Sequence, residues 1–260
     1  MAEGYSRRGF RAYVLLILSA SLLTGLNSIL GGNPQFFTFL FEFSPPVNTL
    51  VEMLILFFVY GLLGLFGCKL AGEVGLPSMW RAKYPGFEDY YEPGLLGLAA
   101  AGMIIGLEMV FSSLPGPGML PVPDLPMSIF DLLIGAVADE VIYRLFLLPF
   151  LIYILVKLWR KMGGKGLSRR QHLEKKLFWP AAVLTGVIYT AFHLLDIFMM
   201  LDTSVMDGIL LPLSLRLLIM NLLLALFAAW QYRKKGFLAA VFFKVCFGVG
   251  WYVIWGGFLT

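Results

Sequence analysis

Charge is scarce in this chain. Only 14% of its 260 residues are Asp, Glu, Lys or Arg, against roughly a quarter in a soluble domain. With 59% hydrophobic residues and a mean hydropathy of +0.83, it has too little polar surface to cover itself in water, so lipid must be its solvent. Histidine is scarcer still. There are two, His172 and His193, so a zinc site needing about three protein ligands would have to recruit carboxylates. The two cysteines, Cys68 and Cys246, lie in or beside apolar runs without metal spacing and read as buried thiols. No strand-like alternation recurs, which excludes an outer-membrane barrel and leaves helices. Repeats, low-complexity tracts, phosphate-binding glycine loops and nucleic-acid modules are also missing, so residues 1–260 read as a single integral membrane domain.

Long apolar runs are what the chain has in abundance. A spanning helix needs about 20 apolar residues, and seven runs qualify, over residues 12–30, 50–68, 94–114, 128–156, 177–198, 209–230 and 237–258. The predicted fold is all-α, a polytopic bundle of seven transmembrane helices. The net charge of +4 and pI near 9.0 suggest a nucleic-acid partner until the charges are placed. All but Arg144, Arg216 and Lys244 of the 20 basic residues fall in segments on one side of the membrane. The opposite segments carry Glu42, Asp124, Asp202 and Asp207 and no basic residue. By the positive-inside rule the N-terminus is expected in the cytoplasm and the C-terminus outside. The arginine pair at Arg7 and Arg8 then reads as inside-positive flanking. The alternative, a twin-arginine export signal, fits poorly with six further spans; cleavage after the first run stays open. Residues 72–93 mix aromatic and charged side chains and read as an interfacial segment. Residues 157–176 read as a basic loop whose partners are anionic lipid headgroups.

Ionisable groups inside a bilayer cost several kcal/mol each unless paired or hydrated. Glu52, Glu108, Asp131, Asp139, Glu140, Arg144, His193, Asp196, Arg216 and Lys244 therefore need an explanation. Glu108, Glu140, His193 and Arg216 each lie about 15–17 residues from the inner border, roughly 22–25 Å at the rise of an α-helix. Four helices thus present polar groups at one height. Glu140 and Arg144 are four apart and share a helix face, as do Tyr189 and His193. Asp139 points about 100° away from Glu140, so the two carboxylates face different neighbours. These residues fit a buried network that joins helices. They equally fit a catalytic site in which Glu140 is general base or metal ligand, His193 a ligand or donor, and Arg144 the group that orients Glu140. A proton or ion pathway is a third option.

Asp139-Glu140-Val-Ile-Tyr-Arg144 resembles the Glu-Glu-x-x-x-Arg motif of the CPBP family (CAAX proteases and bacteriocin-processing proteins), and Tyr189-Thr-Ala-Phe-His193 is similar to its Phe-x-x-x-His motif. Tyr232-Arg-Lys-Lys-Gly236 resembles the approach to its third motif, so the resemblance covers residues 94–258. It implies a glutamate-dependent intramembrane endopeptidase in a prokaryotic plasma membrane. Glu140 would activate water, with Asp139 as the shortened leading acid. Arg144 would hold Glu140, and His193 would assist. Tyr189, Glu108, Arg216 and Lys244 are the supporting candidates. The family's third motif, His followed four residues later by Asn or Asp, is replaced here by Phe243-Lys244-Val245-Cys246-Phe247-Gly248-Val249. A divalent metal such as zinc, if bound, would lie on Glu140 and His193, with Glu108 or Asp196 as third ligand. An oxyanion donor would have to be Arg216 or Lys244. The implied partner is a transmembrane or membrane-proximal polypeptide, taken as substrate by an active enzyme or as partner subunit by a catalytically silent scaffold. Lys244 could also pair with an acid and fill the space of the missing His.

Overall fold

The computed structural model describes residues 7–30, 44–81, 85–113, 125, 127–161, 170–200 and 210–258; the side chains of 7, 45, 160, 170–175, 196–200 and 210–211 lie outside that description. Pro115, Pro117, Pro121, Pro123 and Pro126, residues 162–169 of the basic loop, and the side chains of His172 and Asp196 therefore lie outside the described residues. Helices are α1 (Arg7–Ile29), α2 (Pro45–Leu54), α3 (Gly61–Glu73), α4 (Glu88–Ser112), α5 (Met127–Glu140), α6 (Leu148–Lys161), α7 (Arg170–Met200), α8 (Leu210–Lys235), α9 (Phe237–Gly248) and the short α10 (Gly256–Phe258). Three π-helical turns, Ile55–Tyr60, Val141–Leu147 and Val249–Trp255, join α2 to α3, α5 to α6 and α9 to α10.

The joined pieces give seven helices long and apolar enough to cross a membrane among the described residues, at Arg8–Ile29, Pro46–Glu73, Glu88–Ser112, Met127–Trp159, Lys176–Leu195, Pro212–Lys235 and Phe237–Phe258. Each falls on one of the seven expected runs. The protein is an all-helical integral membrane protein. Leu15, Leu22, Leu62, Phe66, Leu98, Met109 and Val110 face outward, as side chains solvated by lipid do. The helices outrun the apolar runs at several ends. Residues 88–93 of the expected interfacial segment form the first turns of α4. The flanks of the basic loop are the end of α6 and the start of α7. A membrane helix satisfies its backbone internally, so polar ends extend into the headgroups at little cost.

Two cores hold the bundle. One gathers Tyr13, Leu56, Ile134, Val141, Leu145, Leu148, Phe178, Tyr232 and Phe237 around the turn at Val141–Leu147. The other joins α4 to α8 and α9 through Ala100, Ala101, Ile104, Met220, Phe243, Phe247 and Trp251. Small residues let α4 and α9 approach closely: a methyl at Gly97 would overlap the Phe243 carbonyl oxygen.

A strap on the basic side fixes the start of α9. The Phe237 and Leu238 amides donate to the Ser78 and Met79 carbonyls at 3.1 and 3.0 Å, and the Arg81 amide donates to the Lys235 carbonyl at 2.8 Å. Two of the four amides that a helix start leaves without an internal partner are satisfied this way. The turn between α8 and α9 uses Gly236 at φ 112°, and a side chain there would collide with the Trp80 backbone. Gly236→Ala should lower stability by about 1–3 kcal/mol from backbone strain alone, read as a reduced unfolding midpoint in detergent micelles.

Candidate active site

The site is built at the join between α5 and α6. Pro149 has no amide to offer the Leu145 carbonyl, and its ring crowds the preceding turn. The helix answers with a wide turn over Val141–Leu147, in which the Leu148 amide reaches back to the Tyr143 carbonyl. Gly67 of α3 packs directly on this turn: a methyl there would overlap the Leu145 carbonyl oxygen and lie 2.9 Å from the Phe146 Cα. Only glycine permits that approach. Gly67→Ala should push the turn away and cost about 1–3 kcal/mol by overpacking. A denaturant titration in micelles checks it, and any activity should fall with it because Arg144 rides on the same turn.

Glu140 ends α5 with 0% exposure, and Arg144, on the turn, is 3% exposed. Arg144 Nε lies 3.6 Å from Glu140 Oε2, and Arg144 Nη2 donates to the Ala225 carbonyl of α8 at 3.2 Å. Neither carboxylate oxygen of Glu140 has a hydrogen-bond partner, nor do Nε and Nη1 of Arg144. A buried ion pair this loosely joined leaves much of its desolvation cost unpaid, and an unsatisfied buried carboxylate asks for a reason. Here the reason is a small cavity lined by Glu140, Arg144, Tyr189, Leu224, Ala228, Phe243, Lys244 and Phe247. The space open to the centre of a water molecule is ≈ 10 Å³, about what one water requires.

Lys244 enters from α9. Its Nζ binds Asp139 Oδ2, donates to the Tyr189 hydroxyl at 3.2 Å, and lies 4.8 Å from the centre of that ring. The Tyr189 hydroxyl donates to Asp139 Oδ2 at 3.4 Å. Arg144 lies 5.9 Å from the centre of the same ring, a cation–π arrangement on both counts. Tyr143 meets the Tyr189 ring edge-on at 4.9 Å. The consecutive acids thus diverge as their spacing requires: Glu140 goes to Arg144, and Asp139 to Lys244 and Tyr189.

His193 lies one turn beyond Tyr189, their ring centres 4.3 Å apart, and Tyr189 rather than His193 lines the cavity. Glu108 and Arg216, expected at the same height, form a pair of their own between α4 and α8. Arg216 Nε donates to Glu108 Oε2 at 2.9 Å and Nη2 binds Oε1, and neither residue lines the cavity. The expected single cluster is therefore two buried pairs, because each arginine has taken one carboxylate. No three His, Cys, Asp or Glu side chains gather for a metal among the described residues. Glu140 faces a guanidinium and Glu108 is held by another, so this donor set does not fit zinc. Sequence reading passed over Pro149 and Gly67, which shape the turn, and Tyr252, half-buried in the π-helical turn that follows α9. The signal for Tyr252 was its place two turns beyond Lys244 on one span.

The family model Rce1-like, described as type II CAAX prenyl endopeptidase Rce1-like, matches residues 121–249. Over these residues the chain is similar to that family. The match takes in Asp139, Glu140, Arg144, Tyr189, His193, Arg216 and Lys244, and agrees with the CPBP resemblance of the two motifs. Glu108, on α4, lies outside the Rce1-like region. No curated protein and no solved structure matches the chain.

Proposed function

We propose that the Rce1-like protein is a glutamate-dependent intramembrane peptide hydrolase in which Lys244 and Tyr189 take the place of the third motif. The observation that carries this reading is the Glu140 carboxylate, wholly buried, both oxygens without a hydrogen bond, against a one-water cavity that Tyr189 and Lys244 also line. Glu140 takes a proton from water, and the resulting hydroxide oxygen attacks the scissile carbonyl carbon. The carbonyl π electrons move to its oxygen, where Lys244 Nζ and the Tyr189 hydroxyl donate to the negative charge. As the tetrahedral centre collapses, the C–N bond breaks and the Glu140 proton passes to the departing amine. Arg144, 3.6 Å away, orients Glu140. His193, beside Tyr189, is a positioning residue for that ring. The substrate is a transmembrane or membrane-proximal polypeptide, and the orientation is N-terminus cytoplasmic, on the distribution of basic residues.

The test is to reconstitute the protein in lipid nanodiscs with a mixed set of hydrophobic peptides in ¹⁸O water. Hydrolysis places one ¹⁸O in each new carboxyl terminus, seen by mass spectrometry. Such termini with wild-type protein, absent with Glu140→Gln, support the reading; none with wild-type, or equal amounts with both, overturn it.

A second reading has its own observation. The ion pair of Lys244 with Asp139 ties α9 to α5, as a structural link in a silent scaffold would. On that reading wild-type protein cleaves nothing, and Lys244→His combined with Gly248→Asn, at the four-residue spacing of the third motif, gains cleavage.

A further inference from the structure

Charged side chains in the middle of a bilayer are hidden among helices or wetted. Glu140 and Arg144 are hidden, but Asp139 and Lys244 keep 24% and 18% of their side-chain surface open. Half-buried Tyr252 and Asp131 continue the polar line. The helices α5 and α9 run antiparallel: a methyl on Gly248 of α9 would sit 3.1 Å from Leu132 of α5, and beyond their ends Gly257 of α10 lies next to Leu125. Asp131 lies eight residues back from Asp139 on one helix and Tyr252 eight forward from Lys244 on the other. Both are therefore about 12 Å nearer the surface where α5 begins. At the upper end Asn27 of α1 donates to Asp131 Oδ1 at 3.1 Å while its own Oδ1, in a residue only 1% exposed, has no partner.

We infer that the seam Asp131–Tyr252–Asp139–Lys244 is a water-filled cleft joining the Glu140 cavity to the aqueous phase on the side where α5 begins. Partly open charges more than three turns deep would be costly against acyl chains, and bridging water supplies the missing partners for atoms such as Asn27 Oδ1. The cleft concerns access, and stands whether or not Glu140 hydrolyses a peptide.

The experiment is thiol accessibility in Cys68→Ala, Cys246→Ala protein carrying Tyr252→Cys, Asp131→Cys or, as control, Ile254→Cys, whose native side chain is 47% exposed on the same helical end. Membrane vesicles of both orientations are treated with a membrane-impermeant charged maleimide. A thiol in water ionises and reacts, whereas one in lipid does not, so positions 252 and 131 should react about tenfold or more faster than position 254. They should do so only from the side where α5 begins. Reaction no faster than at position 254, as expected if acyl chains or a partner helix fill the seam, overturns the inference; so does equal reaction from both sides. Hydroxyl-radical footprinting of the unmodified protein needs no substitution. Tyr252 should oxidise faster than Phe58, which is 55% exposed in the second span, and the reverse order likewise overturns it.

Discussion

Glu140→Gln should leave a folded protein and lower peptide hydrolysis by about 10²–10⁴-fold, the usual span for losing a general base. Glutamine keeps the shape of the side chain, and its amide oxygen can still face Arg144. It has no basic carboxylate to take the water proton. Arg144 is then a buried cation beside a neutral neighbour, retaining its bond to the Ala225 carbonyl, so some loss of stability accompanies the substitution. The two effects separate by measurement: the unfolding midpoint reports the first, and turnover per folded molecule reports the second. Hydrolysis that survives at the wild-type rate in folded Glu140→Gln protein would remove Glu140 from the reaction. Glu140→Asp is the companion variant. It keeps the base but withdraws it from the cavity, and should retain more activity than glutamine does.

The largest effect on stability is expected at the other buried pair. Arg216 meets Glu108 through two parallel contacts from its guanidinium fork, with 3% and 1% of the two side chains exposed. Such pairs combine geometry with charge. Arg216→Met removes one partner and strands the Glu108 carboxylate between α4 and α8, at an expected cost of about 3–5 kcal/mol. Replacing both, Glu108→Leu with Arg216→Met, should restore most of that loss, since an apolar pair of similar volume costs little where a lone charge costs much. A double-mutant cycle on unfolding in micelles reads the difference. If the double variant is as unstable as Arg216→Met alone, the cost lies in packing and not in an unpaired carboxylate.

The bundle was legible because hydropathy is a direct physical signal. Seven apolar runs could only be seven helices, and the basic residues between them marked one side. The motifs were legible in the same way, since four-residue spacing puts Glu140 with Arg144 and Tyr189 with His193 on helix faces. Partners across helices were not. Depth alone put Glu108, Arg216, Glu140 and His193 at one level, but rotation about each helix axis decides who meets whom, and no periodicity reports rotation between helices. The wide turn at Val141–Leu147 was hidden for a related reason: one extra residue per turn leaves an apolar run apolar. Pro149 was its visible trace, and Gly67 the mark of a neighbour pressed against it. Lys244 was legible as an oddity in the last span, and the acid it binds became known only once α9 was set beside α5.

The strap that satisfies the first amides of α9 has a bearing on biogenesis. Ser78 and Met79 leave the ribosome long before Phe237 and Leu238, to which they bond. Chains assemble largely from the N-terminal end during synthesis, so the last helix arrives at a berth already prepared by the first half of the chain. Until it docks, Asp139 lies in the membrane without the ammonium of Lys244. The finished protein therefore differs from its unfinished precursor by the neutralisation of one acid, and a chain arrested before α9 would hold Asp139 with the Tyr189 hydroxyl but without its cation.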